Sequence, residues 1–591
     1  MKRKKLIVAA AVAVVYFVAA MGVCIWEALP QQNQPPTEET DSEQIPIATA
    51  NPYQAVTDRE YIIVENNLVY SEWGQADMYM VSEDVLLRSG DTVSLLEIYS
   101  LPSLQRMDEE DAGEYMSGLQ VLARIEALGL NPDLFFTPEY DWKAIYNDSL
   151  SQVRQVLSFE ESVKFTGNIA SELNHFLGEC HGVTVNFAGQ ELLLDETIRV
   201  PSNVVLNGNG AVLRGGEDGS SVDYGLLLEG VENVGIYGFR LLGGFGQGIY
   251  LIDSDKCLIW GNEIANADYK ALCVMADNTY INLVNNTVHD NGNGGIFLNG
   301  DISNCIIQGN EVYQNRGTRN LTAGIVFSSM EVEDPYTPYN EFKDEHLYDL
   351  LKTPHQNVVR GNHIQGNYSS GFYCDGGYLN YVLDNLIEDN EKEGMCLDYG
   401  TFGTYVAGNT IRRNGDRNRQ TDEDLEADFI LAAGRLEDGS STAKLPGVSI
   451  DNSAYNIIFE NLVTDNSGSG VKMVRSGYRN LILCNVISDN NRGKNDFFHG
   501  FGIEFGHANT PDEPVIGLDL TADFENIAAR NMISGSHYAG IFFAEGSYCN
   551  DLIDNVVMDS EFFSIENHSQ LYNSSVGNIV NTDVLDYGLN Q

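Results

Sequence analysis

From Val183 onward, apolar residues return in short bursts, each closed by Gly or Asn. The sharpest mark is an Asn two places before a β-branched or apolar residue. It occurs at Asn262/Ile264, Asn286/Val288, Asn310/Val312, Asn362/Ile364 and Asn385/Ile387, and again at Asn409/Ile411, Asn461/Val463, Asn485/Ile487, Asn531/Ile533 and Asn555/Val557. Unbroken steps are 23 or 24 residues, and the longer steps of 52, 52 and 46 are each one copy plus an insertion. Five residues on, many copies carry a second Asn: Asn291, Asn315, Asn367, Asn390, Asn414, Asn466 and Asn490. A Gly-apolar-x-apolar strand follows, as at Gly295-Ile296, Gly371-Phe372, Gly394-Met395, Gly470-Val471 and Gly540-Ile541. A third short strand lies near Asn304, Asn380, Asn456, Asn480 and Asn550.

Each copy is thus three short strands joined by turns, too small to bury its own apolar face. Stacked copies close one continuous core. Asn at the turns tolerates left-handed backbone, and identical Asn residues can form hydrogen-bonded ladders along the stack. The pattern lacks the Leu scaffold of leucine-rich repeats and the longer blades of propellers. It resembles the right-handed parallel β-helices of the pectate-lyase-like superfamily over about residues 160–580, and the stretches from Val183 to Gly189 and from Val200 to Gly210 look like the usual first coils. The resemblance implies an all-β fold and leaves the reaction open, because that superfamily hosts lyases, hydrolases, epimerases and inert binding modules. Its subfamily motifs are not reproduced: Gly506-His507 is followed by Ala508, Arg492-Gly493-Lys494 comes before rather than after it, and Asp334-Pro335 is followed by Tyr336.

The rest of the chain divides around this body. Lys2, Arg3, Lys4 and Lys5 precede an uncharged run of 21 residues, Leu6 to Trp26. That run is long enough to cross a bilayer as a helix, with the basic end inside. Residues 1–30 are expected to be a transmembrane anchor or, alternatively, a cleaved signal, and 31–56 a flexible linker. Residues 57–180 are expected to form a small α/β region with a helical cap, and 181–591 the β-helix. Strands are expected around Tyr61 to Val64 and Met78 to Val81, and helices over Ala112 to Leu128 and Phe159 to Leu177, the last covering the apolar end of the stack.

Composition narrows the partners. With 85 Asp and Glu against 34 Lys and Arg, the formal net charge is -51, which repels nucleic acid. The nine cysteines are scattered with no CxxC pair, so neither a disulfide framework nor a zinc site is expected. Oligomeric state is left open.

Candidate chemistry lies on the Gly-apolar-x-apolar-z strand. Its apolar residues face the core, so x and z face out. Reading z down the stack gives Asn299, Ser328, Asp375, Asp398, Asp451, Val474, Gly506 and Ala544; reading x gives Phe297, Val326, Tyr373, Cys396, Ser449, Lys472, Glu504 and Phe542. Three carboxylates, Asp375, Asp398 and Asp451, fall on consecutive coils about 4.8 Å apart. Insertions at about 329–356, 415–446, 491–501 and 507–525 begin or end at this strand, so the column is expected to lie in a walled groove. Their aromatics (Tyr336, Tyr339, Phe342, Tyr348, Phe497 and Phe498) could stack on sugars or pack on the coils. Catalytic candidates are Asp375, Asp398, Asp451, Lys472, Arg475 and Glu504, with Lys472–Glu504 readable also as a structural pair. Substrate-binding candidates are Asn299, Tyr373, His499 and His507.

Three readings follow for an extracytoplasmic polysaccharide partner. In glycoside hydrolysis, two stacked Asp residues act as acid and as base or nucleophile. In uronate elimination or C5-epimerisation, Ca2+ held by Asp375, Asp398 and Asp451 neutralises the uronate while Lys472 or Arg475 takes the proton. In the third, the surface is a non-catalytic sugar binder or adhesin.

Overall fold

The computed structural model describes most of residues 142–586; the longest segments outside it are 217–221, 329–351, 420–443, 492–499 and 507–522, and before residue 142 only scattered positions are described. Among the described residues no helix is long and apolar enough to cross a membrane. Leu6 to Trp26, Met78 to Val81 and the insertion aromatics lie outside them.

The repeats stack as a parallel β-helix. One sheet has fourteen described strands, from Ile198–Arg199 to Asp583–Asp586, each paired in parallel with the strand one coil on. The other two strands of each coil build the remaining faces, as where Val358–Arg360 pairs with Tyr381–Leu383 and His363–Gln365 with Leu386–Glu388. A single apolar core runs along the axis from Phe165 to Ile565. The residue before Ile296, Ile325, Phe372, Met395, Val448, Val471 and Ile503 is Gly for a steric reason: a Cβ on Gly371 would stand 2.7 Å from the carbonyl oxygen of Gly394 and closer still to Ile387.

Side-chain amides tie the coils together. In the main ladder the Nδ2 of Asn262 donates to Oδ1 of Asn286 at 3.1 Å, Asn286 donates to Asn310, and the series continues through Asn362, Asn385, Asn409, Asn461, Asn485, Asn531 and Asn555 to Asn578. A second ladder runs from Asn291 to Asn490 through Asn315, Asn367, Asn390, Asn414 and Asn466. Each rung also caps a backbone carbonyl from the preceding coil, as Asn385 does for Val359. Buried polar groups are thereby satisfied without breaking the stack.

Two expectations are corrected. The ladder Asn residues are not themselves left-handed. The residue immediately before each one is, including Asn285, Asp384, Glu460, Cys484 and Arg530, which turns the chain so that the amide points along the axis. Asn304 is another such turn residue, and the next residue, Cys305, donates its backbone N–H to Oδ1 of Asn357, which donates to Asn380; a third, shorter ladder runs from Asn456 through Asn480, Asn526 and Asn550 to Asn573. Among the described residues of the stretch from Phe159 to Leu177, helix runs over Ala170–Gly178, and Ser162–Lys164 instead pairs as a strand with Val183–Asn186. That shorter helix still covers the end of the core, burying Ala170, Leu173 and Leu177. A further helix, Trp142–Val153, lies on the flank of the stack, where Tyr146 bonds Gln308 and Ser149 bonds Asn282.

Candidate active site

The outward rows follow the register read from the sequence. Phe297, Val326, Tyr373, Cys396, Ser449, Lys472, Glu504 and Phe542 are successive parallel partners. In the neighbouring row Asn299 pairs with Ser328, Asp375 with Asp398, and Asp451 with Val474. The side chains therefore leave the strand away from the axis, as alternation requires. They do not stand in open solvent, however. Asp375 is 0% exposed and Asp398 2%, and Tyr373, Val326, Phe297 and Cys396 form an apolar cluster of their own outside the main core.

Asp375 and Asp398 have different surroundings. Asp375 receives a long 3.4 Å contact from the Ser328 hydroxyl on Oδ2, and its Oδ1 is buried with no hydrogen-bond partner. Burial pushes its carboxyl up to about 7, opposed by Ser328 and by the nearby Arg124 guanidinium. At neutral pH the group is thus divided between acid and carboxylate. Asp398 receives the Tyr373 hydroxyl on Oδ2 at 2.9 Å and the Tyr399 backbone N–H on Oδ1 at 2.8 Å. Tyr373, placed in the sequence among groups facing a substrate, is 1% exposed and turned onto Asp398 instead.

Farther down the same face lies a second charged group. Lys472 Nζ is 2.8 Å from Glu504 Oε1, and the Ser469 hydroxyl donates to Glu504 Oε2 at 2.6 Å. Burial opposes the Lys472 charge, but Glu504, with Asp523 and Asp451, outweighs it and raises the ammonium above its ordinary value. Asp451 stands one coil after Asp398, its strand pairing with Met395–Asp398 on one side and Val471–Val474 on the other, and it also acts electrostatically on Lys472. Asn299 is partly buried two coils before Asp375, while Arg475, His499 and His507 lie outside the described residues.

Two neighbours were missed in the sequence. Asp523 is wholly buried; its Oδ1 accepts the Gly477 N–H at 2.7 Å and its Oδ2 has no partner. Burial, then Asp451 and Glu504, push its carboxyl well up against the pull of the Gly477 and Gly506 N–H groups. A signal was present, because Asp523 stands three residues before ladder Asn526, where other coils place Gly377, Thr401, Ser453, Gly477 and Ser547. The other is Arg124, which comes from outside the repeat and had no periodicity to mark it.

The comparisons add the handedness of the coil. Residues 224–411 match the family model described as "Right handed beta helix region", and residues 328–497 match "Periplasmic copper-binding protein (NosD)". The chain folds as a right-handed parallel β-helix. Similar solved structures include the A-module of a mannuronan C-5 epimerase from Azotobacter vinelandii, at 13% identity and TM-score 0.43, covering 72% of this chain and 98% of that one. DFA-IIIase from Arthrobacter chlorophenolicus is 12% identical with TM-score 0.38, covering 65% of this chain and 89% of that one. The periplasmic alginate epimerase AlgG is 13% identical with TM-score 0.34, covering 75% and 89% respectively. No curated protein matches the chain.

Copper favours imidazole, thiolate and thioether ligands. In the right-handed parallel β-helix, His363 is held between Glu311 and Glu388, Cys374 lies in the axial core and Cys396 faces outward. Among the described residues no three His, Cys, Asp or Glu converge as a metal would require. The described donors therefore do not fit a copper centre, nor a calcium centre built from Asp375, Asp398 and Asp451.

Proposed function

We propose that the protein is an extracytoplasmic carbohydrate-active enzyme that hydrolyses glycosidic bonds of a polysaccharide. The observation that supports this reading is the in-register pair Asp375–Asp398, with one carboxyl near neutrality and bearing an unpartnered oxygen, the other met by two donors. Divergent environments for two neighbouring carboxyls are what acid–base division of labour requires. Adjacent parallel strands lie about 4.8 Å apart, near the shorter of the two separations glycosidases use, about 5–5.5 Å. Asp375 gives its proton to the glycosidic oxygen as Asp398 attacks the anomeric carbon. Asp375 then takes a proton from the water that releases the sugar from Asp398, so the configuration is retained. Both carboxyls are buried, so entry of the sugar requires displacing what covers them.

Calcium-assisted elimination is the weaker reading, because it assigns the base to Lys472 or Arg475. Lys472 is ion-paired to Glu504 with its ammonium stabilised, the opposite of what a base needs. The basic start and apolar run of residues 1–30 support an anchored, outward-facing arrangement with 31–56 as linker, and the periplasmic description of the matched NosD family agrees.

The test is to incubate residues 51–591 with neutral and acidic polysaccharides, with calcium or with chelator, following reducing ends and the ultraviolet absorbance of unsaturated sugars. New reducing ends without absorbance, lost in Asp398→Asn, support hydrolysis. Calcium-dependent absorbance replaces it with elimination. Binding without either product replaces it with a non-catalytic sugar-binding surface.

A further inference from the structure

Arg124 reaches the paired carboxylates from outside the β-helix. It is 4% exposed, and its guanidinium donates to the carbonyl oxygens of Gly376 at 2.6 Å and Gly400 at 2.7 Å, with a longer bond to the Thr353 hydroxyl at 3.3 Å. Gly376 directly follows Asp375, and Gly400 follows Asp398 by two residues. The two carbonyls thus belong to the turns that end the two Asp-bearing strands. The planar fork of Arg, with several donors in fixed geometry, can bridge two carbonyls on neighbouring coils, which the point charge of Lys cannot do equally well.

The contacts around this fork are specific to the pair. Both glycines are left-handed, at φ 71° and 76°, so each turn depends on what holds its peptide planes. Next to Gly400, Tyr399 supplies the N–H that meets Asp398 Oδ1, and Thr401 donates to the carbonyls of both Asp398 and Cys374, crossing from one coil to the other. The guanidinium also lies 5.1 Å above the Phe402 ring. A second anchor from the same N-terminal segment, Phe135, stacks on Phe402 and meets Tyr455 edge-on, both at 5.8 Å. The segment before the β-helix is therefore docked on the turn row at two points, one of which clasps the two site turns together.

We propose that Arg124 is a positioning residue for the Asp375–Asp398 pair, fixing the two turns so that the carboxyls and the Tyr399 N–H keep their mutual geometry. Under this proposal the N-terminal region is part of the working site. The proposal that it matters to turnover rests on the hydrolytic reading; the claim that it sets the turns does not.

The test uses the 51–591 chain with Arg124→Ala, Arg124→Lys and Asp398→Asn. Amide hydrogen exchange reads the turns directly. Peptides covering 374–380 and 396–404 exchange faster in Arg124→Ala while the Ile306–Gln308 strand, remote from Arg124, is unchanged, and Arg124→Lys falls between. On whichever polysaccharide the unaltered chain cleaves, kcat drops about a hundredfold with KM held within about twofold, the signature of misplaced groups rather than lost binding. Added guanidinium restores part of the rate to Arg124→Ala and none to Asp398→Asn. Unchanged exchange at both turns overturns the proposal. So does faster exchange with unchanged kcat, which reduces Arg124 to a structural tie. If Asp398→Asn keeps its rate, or no polysaccharide is cleaved, the hydrolytic reading fails by itself and the exchange result alone decides whether Arg124 holds the pair. Should Arg124→Ala not fold, the Arg124→Lys arm carries the same readings.

Discussion

Two clusters of carboxylates lie along the same stretch of the solenoid, and only one of them contains a lysine ion pair. Among the described residues, Asp375 and Asp398 receive hydrogen bonds from Ser328, Tyr373 and a backbone N–H, and Arg124 nearby donates to carbonyl oxygens. Around Glu504, Asp451 and Asp523 a lysine stands in the same row and pairs with Glu504. The difference comes from which residues the coil spacing stacks against each acid: Tyr373 and Cys396 in one place, Lys472 and Glu504 in the other. Burial holds Asp375 and Asp523 toward their protonated forms, whereas Glu504, beside the Lys472 ammonium, is half of an ion pair. The setting of each carboxylate is thus decided in part by neighbours one coil away.

The comparison can be broken most severely at the first cluster. Asp375→Asn and Asp398→Asn are each expected to lower kcat by about a thousandfold or more, the range seen when an essential acid–base or nucleophilic group is lost. Comparable rates from either variant would remove the first cluster from catalysis. At the second cluster Lys472→Met should leave kcat within about tenfold but lower stability by about 1–3 kcal/mol, because Glu504 loses a charge-assisted bond while Ser469 still holds its other oxygen. Chemical denaturation beside steady-state rates checks this, and a rate collapse with stability intact would transfer the chemistry to Lys472.

Acidity sharpens the contrast more finely. Asp375 has a folded value of about 7 against an ordinary 3.8, so the folded state holds its proton more tightly than the unfolded chain. Its stabilising contribution is full below pH 3.8 and is lost as pH rises through about 7. Asp375→Asn should therefore flatten the decline of Tm between about pH 4 and 7. Asp523 is shifted in the same direction, so Asp523→Asn should raise Tm more at pH 8 than at pH 5. Parallel Tm curves for the variants and the unaltered chain would show that neither acid is protonated in the fold.

The repeat made the register of both clusters legible before any coordinates. Alternation and spacing alone align Tyr373 with Cys396 and Lys472 with Glu504. Burial was not legible, because exposure of an outward side chain depends on what packs over the coil, which periodicity does not encode. Arg124 was invisible for the same reason: its partners are carbonyl oxygens 252 and 276 residues away, and carbonyls leave no trace in residue identity. Asp523 was readable in principle, as an acid standing where other coils keep a glycine or a hydroxyl. Asn304 marks a further limit, since an Asn at a turn can be the left-handed residue or the rung after it, and only the neighbouring coils tell which.

The amide ladder has a consequence for how such a chain can change its length. Asn262, Asn286 and Asn310 are separated by identical steps of 24 residues, and each donates to the next in the same way. Excising residues 286–309 would bring Asn310 to the place Asn286 now holds, with the same bond to receive and the same partner to offer. The molecule is in this sense counted in whole turns. Genetic slippage or deliberate splicing can shorten or lengthen it by a turn at a distance from Asp375, leaving the Asp375–Asp398 pair in the same local setting on a shorter or longer rod.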